Sequence, residues 1–85
     1  MKFTQYFLYT RQREDRKRIK LEWIEQAVNN PVKTYIQRDG RMRKWAYIHE
    51  AEKYLRVILL EDGLTVHSAF FDAGFKESED ENQIF

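Results

Sequence analysis

Two Asp-Gly pairs, Asp39-Gly40 and Asp62-Gly63, constrain this chain more than any other feature in it. Each lies between runs of strand-forming residues, and Asp-Gly is a strong hairpin signal because both residues tolerate the positive φ that a two-residue turn demands. With a further reversal near Ala51-Glu52, they predict strands over 34–38, 41–49, 54–61 and 64–71. Residues 34–71 then form an antiparallel meander whose first strand is short and lies at an edge.

Upstream, residues 3–10 are rich in aromatic and β-favouring types (Phe3, Thr4, Tyr6, Phe7, Tyr9, Thr10) and read as an opening strand. Arg11 to Lys20 is almost continuously charged and reads as a loop with a turn of helix. A firmer helix runs to Asn29, with Leu21, Ile24, Ala27 and Val28 on one stripe and Trp23 widening it. Asn29-Asn30-Pro31 stops that helix, because proline disfavours helical geometry in the residue before it. The expected fold class is α+β: an N-terminal strand, one or two helices, then an antiparallel meander, with the helices on one face. A single domain over 1–75 is expected, followed by an acidic, disordered tail over 76–85.

Eighty-five residues suit one domain with a thin, two-layer core. Without cysteine there is no disulfide framework and no thiolate metal site, which fits a reducing cytoplasm. No apolar run approaches the roughly 20 residues of a membrane span, and the polar-interrupted opening is unlike a signal peptide. The whole-chain charge of +1 hides an asymmetry: residues 72–85 carry five acids against Lys76, a balance of −4, which leaves +5 on residues 1–71. A basic body favours a polyanionic partner, or simply keeps the protein soluble.

Side chains alternate across a strand, so the hairpins sort residues onto two faces. Pairing Ile58 with His67, Arg56 with Ala69 and Tyr47 with Arg56 puts Met42, Ala46, Ile48, Leu55, Val57, Leu59, Leu64, Val66 and Phe70 on the core face, with Lys44 and Ser68 as its polar members. The opposite face carries Arg41, Arg43, Trp45, Tyr47, His49, Tyr54, Arg56, Ile58, Thr65, His67, Ala69 and Phe71. Cations mixed with aromatic rings suit RNA, since guanidinium groups pair with phosphate and rings stack on unpaired bases. The same types suit cleavage by a 2′-hydroxyl, which requires a base, an acid and cations for the phosphorane. Each has a plainer role. His67 serves equally as a polar face residue, and Arg56 either pairs with a carboxylate such as Glu50 or meets a ligand. Tyr47 and Tyr54 pack across a hairpin, Trp45 covers the sheet, and Arg43 is a solvated strand charge. The Arg11–Lys20 run, with Arg16 and Lys17, is a solvated surface or a phosphate clamp. There is no glycine-rich phosphate loop, no zinc-ligand spacing around His49 and His67, and no serine nucleophile context, so neither metal nor cofactor is expected.

The helix stop at Asn29-Asn30-Pro31, Tyr54-Leu55-Arg56-Val57-Ile58 and Val66-His67-Ser68-Ala69-Phe70-Phe71 together resemble a group of small bacterial proteins over about residues 16–72. More distantly, the chain is similar to BrnT-like toxins of the RelE/ParE superfamily. The resemblance implies a RelE-like fold whose exposed concave sheet face acts on RNA or the ribosome as a metal-independent endoribonuclease (an mRNA interferase), neutralised by an antitoxin protein. By position it carries the catalytic role to Arg43, Tyr47, Arg56 and His67, with Arg41, Trp45, Tyr54, Arg16 and Lys17 as substrate contacts. The acids after the last strand depart from the basic ending usual in such toxins. A non-catalytic RNA- or protein-binding module of the same fold is the alternative, and a homodimer through exposed sheet edges a third reading.

Overall fold

Threonine at position 4 decides how the chain begins. Its hydroxyl accepts the backbone N–H of Phe7 at 3.0 Å, which caps a helix and ends the opening strand after two residues. The structure, a computed structural model, describes residues 1–77. β1 is only Lys2–Phe3, and the predicted strand over 3–10 is instead mostly helix α1, Gln5–Thr10. Six residues are too few for intrinsic propensity to hold a helix. Packing holds it: Phe7 and Thr10, three apart, are buried, and the Phe7 ring stacks on Phe3 at 5.0 Å.

The charged run forms turns, and Ile19 inside it is 3% exposed and part of the core. That single apolar residue pins the loop. Helix α2 covers Leu21–Asn29, with Glu22 in its first turn suiting the helix dipole and Ile24 and Ala27 buried. Leu21, expected on that stripe, is exposed.

Four strands follow: β2 Lys33–Ile36, β3 Met42–Ile48, β4 Lys53–Leu59 and β5 Thr65–Phe71. They form the expected meander, and β1 adds to β5 in parallel, giving the order β1-β5-β4-β3-β2. α2 packs on β3 and β4 and α1 on β5. The core between the layers joins Phe7, Ile19, Ile24 and Ala27 to Ala46, Ile48, Leu55, Val57, Leu59, Val66 and Ala69. Lys44, on the helix side, donates its ammonium to the Val28 carbonyl at 3.0 Å, so its charge leaves the core.

The turns are longer than the Asp-Gly pairs alone predict. Gln37 and Arg41 close a loop of Arg38-Asp39-Gly40, and Leu60 and Thr65 close one of Glu61-Asp62-Gly63-Leu64. The glycines take positive φ, +92° and +70°. In the second loop, Asp62 accepts the N–H groups of Leu64 and Thr65 and the Thr65 hydroxyl, which holds its carboxyl down at a pKa of about 2. Leu64, expected in the core, is 62% exposed in that loop.

Register accounts for which face predictions hold. Tyr47 pairs with Tyr54 rather than Arg56, a slip of two residues that leaves every side chain of β3 and β4 on its expected face. In β5 the slip is one. Leu59 pairs with Val66 but Ile58 pairs with Ser68, so His67 is the extra residue of a β-bulge. Beyond it the alternation inverts. Ala69 faces Val57 in the core, Phe71 lies beside Trp23 of α2, and Phe70 and Ser68 turn to the open face, the reverse of the prediction. Among the described residues, no helix is long and apolar enough to cross a membrane. The tail predicted to be disordered falls largely outside the described residues, from 78 onward.

Candidate functional site

Central strands β3 and β4 present Arg43, Trp45, Tyr47, Tyr54, Arg56 and Ile58 on the side away from the helices, as alternation requires. Arg56 occupies the middle of this face. Its partner on β3 is Trp45 and its partner on β5 is Phe70, whose ring centroid lies 4.3 Å from the guanidinium carbon. Burial works against the Arg56 charge; nearby Asp72 supports it, and Arg43 adds repulsion. Asp72, not Glu50, is the carboxylate it meets, with Nε 3.6 Å from Oδ2. Glu50 instead accepts from Lys20 and Trp23, which lowers its pKa.

A second arginine joins from the charged loop. Arg16 reaches past the edge of β5 to donate to Ser68 Oγ at 3.4 Å, and its guanidinium lies 5.3 Å from the same Phe70 ring. The Nε atoms of Arg16 and Arg56 are both buried and make no hydrogen bond among the described residues. Two cations thus flank one aromatic ring, no further apart than their distances to it allow. A groove of about 380 Å³ opens beside them, lined in part by Arg16, Arg18 and Lys53 together with the acids Glu14 and Asp15. Lys17, expected to join Arg16, pairs instead with Glu14 at 2.8 Å on the exposed turn.

The segment after β5 folds back over the aromatic half of this face. Phe75 stacks on Trp45 at 4.8 Å with 13° between the planes, and Tyr54 meets Phe75 edge-on at 5.0 Å. Trp45 Nε1 donates to Asp72 Oδ2 at 3.0 Å, and the Tyr54 hydroxyl donates to Glu77, which raises the tyrosine pKa. Trp45 is 6% exposed as a result. Tyr47 lies edge-on to both His49 and Tyr54.

Of the four expected catalytic residues, Arg43, Tyr47 and Arg56 share the open face, though Tyr47 pairs with Tyr54 and not Arg56. Arg43 bonds Gln37 at 2.9 Å and lies over Tyr35. Arg41, at the start of β3, is 3.8 Å from Asp39. His67 sits at the bulge, near the Arg41 end. Its Nδ1 is 3.1 Å from Thr4 Oγ1 and its ring stacks on Tyr6 at 4.7 Å. Burial, and then Arg41, hold its pKa below the ordinary 6.5, so the ring is neutral at pH 7. Where Nδ1 donates to Thr4, Nε2 is a proton acceptor; where the threonine hydroxyl donates, Nε2 carries a proton to give.

Ser68, Phe70, Asp72 and Phe75 are the members of this site that sequence reasoning misses. The bulge hid the first two. The last two lie past the last predicted strand, where no site role is expected, although an aromatic residue inside an acidic segment, opposite a basic aromatic face, is a usable signal. Among the described residues, no group of three or more His, Cys, Asp or Glu side chains comes together to hold a metal.

Comparison with protein-family models, with curated proteins and with solved structures returns no match.

Proposed function

We propose that the open face takes single-stranded RNA and cuts it without a metal, as a toxin-like endoribonuclease. What carries this reading is the meeting of Arg16 and Arg56 at Phe70: two partly buried guanidinium groups whose Nε atoms make no hydrogen bond and have carboxylates only at 4.0 Å (Asp15) and 3.6 Å (Asp72), next to an indole that an aromatic ring, Phe75, already stacks on. Exposed lysines would serve solubility alone; arginines held against an aromatic ring present paired N–H donors that suit the oxygens of a phosphodiester.

In the reaction, the 2′-hydroxyl forms a bond to phosphorus as the P–O5′ bond breaks, giving a 2′,3′-cyclic phosphate and a 5′-hydroxyl. Arg56 and Arg16 carry the charge that develops on the phosphoryl oxygens. Neutral His67 takes the 2′ proton in the tautomer with Nδ1–H bonded to Thr4, and O5′ takes its proton from water; Tyr47, opposite Tyr54 at the far end of the face, contacts the RNA strand further along. Arg43 and Arg41 extend the cationic track toward His67.

Incubating the protein with single-stranded RNA should give cyclic-phosphate ends, and Arg56→Ala should lower the rate by about 10²–10³-fold, the usual loss for one transition-state contact. Intact RNA in the presence of folded wild type would refute cleavage. A second reading, an RNA- or protein-binding module without turnover, gains from the pairing of Arg56 with Asp72, since a carboxylate already answers that charge. It predicts binding that weakens steeply with salt and no cut ends.

A further inference from the structure

We infer that the open face contains a site for one nucleotide, and that the chain's own segment Asp72–Glu77 fills this site until single-stranded RNA displaces it. The inference rests on the RNA reading above and gives that site a pair of subsites and a competitor.

The segment offers an anion and a flat ring together. Asp72 Oδ2 accepts from Trp45 Nε1 at 3.0 Å and lies 3.6 Å from Arg56 Nε, the two donors a non-bridging phosphate oxygen would take. Phe75 lies parallel to Trp45 at 4.8 Å, where an unpaired base would stack, with Tyr54 against its edge. The carboxylate and the ring are three residues apart in one tight turn, closed by Phe75 N–H to Asp72 O at 3.3 Å and Gly74 N–H to Asp72 Oδ1 at 3.2 Å. They are therefore presented as a unit, as the phosphate and base of one nucleotide are. A base in a duplex has both faces covered by its neighbours, so the site selects single strands.

The cap is attached in a way that allows release. Asp72 N–H still bonds Tyr54 O at 2.9 Å, but among the described residues no backbone hydrogen bond ties 73–77 to the sheet. Beyond Asp72 it is held by the Phe75 ring and by the Glu77 carboxylate at Tyr54. Segments held by few contacts open at low cost.

A cap closed about 90–99% of the time weakens apparent affinity about 10–100-fold. The test is fluorescence anisotropy with a labelled single-stranded RNA decamer on wild type, Phe75→Ala, Asp72→Asn and Glu25→Gln, the last matching the charge change from the exposed side of α2. We expect Phe75→Ala and Asp72→Asn to tighten binding about tenfold or more and Glu25→Gln to change it less than twofold. Hydrogen exchange on wild type supplies a measurement independent of any variant: RNA should speed exchange at Gly74 and Phe75. Equal or weaker binding by Phe75→Ala, or unchanged exchange in that turn on saturation with RNA, overturns the cap while leaving the RNA reading intact. If neither wild type nor the uncapped variants bind the decamer, the RNA reading fails and the cap inference goes with it.

Discussion

Arg56 and Phe70 stand directly opposite each other on β4 and β5, guanidinium against ring, because His67 is one residue more than the ladder has room for. Without the bulge the pairing of Leu59 with Val66 would continue and put Ala69 opposite Arg56. A methyl group there would offer the arginine no π face. The bulge thus sets the chemistry of the centre of the open face.

Phe70→Leu keeps the apolar bulk but removes the ring that both Arg16 and Arg56 approach. It should cost about 0.5–2 kcal/mol in urea unfolding, the range for partly desolvated cation–π contacts. No measurable loss would mean that the two cations gain nothing from the ring.

Thr4→Ala should destabilise the fold by about 1 kcal/mol through loss of the α1 cap. It should also perturb His67, whose Nδ1 loses its partner, and that effect is visible as a changed imidazole NMR titration. A capping loss with an unaltered histidine titration would separate the two roles.

The histidine titration has a defined sign. His67 has a folded pKa below 6.5, so between that folded value and 6.5 the unfolded chain binds more protons. Its contribution to stability is present above pH 6.5 and is lost as the pH falls toward the folded value; His67→Asn should flatten that part of the stability profile. An NMR titration midpoint above 6.5 would contradict the burial seen here.

Asp62 titrates lower, from an ordinary 3.8 to about 2 in the fold. The stability it supplies is present above 3.8 and fades as the pH falls toward 2, because the protonated carboxyl accepts less well from Leu64 and Thr65. Asp62→Asn should therefore differ from wild type at neutral pH and converge with it near pH 2. A constant difference across that range would count against the turn as its cause.

Leu55 and Leu64 look interchangeable in the sequence, yet one is fully buried and the other 62% exposed. Leu55→Ala should cost about 2–5 kcal/mol, whereas Leu64→Ala should stay within about 0.5 kcal/mol. Calorimetry or urea unfolding will separate them.

These contrasts show how far the sequence could be read. Asp-Gly pairs and alternation located four strands and the faces of β3 and β4, and an error of two residues in the β3–β4 register did no harm because side-chain direction repeats every two. The bulge has no comparable signature in Val66-His67-Ser68-Ala69, so Phe70 and Phe71 exchanged sides. α1 was hidden by aromatic residues that favour strands in isolation; the i, i+3 spacing of Phe7 and Thr10 behind a threonine was the contrary sign. The site suffered most at its end. Asp72 and Phe75, past the last predicted strand, carry no sign of a site role until the turn that binds them to Trp45 is seen.

The parallel pairing of Lys2 and Phe3 with Thr65 and Val66 joins the two ends of the described fold across more than sixty residues of intervening chain. Such a contact is entropically costly to close, and the cost falls once the strands between have assembled. Since Thr4 contacts His67, the alignment of the proposed proton acceptor depends on that pairing. A chain whose synthesis stalls before β5 lacks the histidine itself, and one with a frayed first strand has the residue but not its alignment. On the proposed reading, competence therefore depends on β1 being docked as well as on β5 being made.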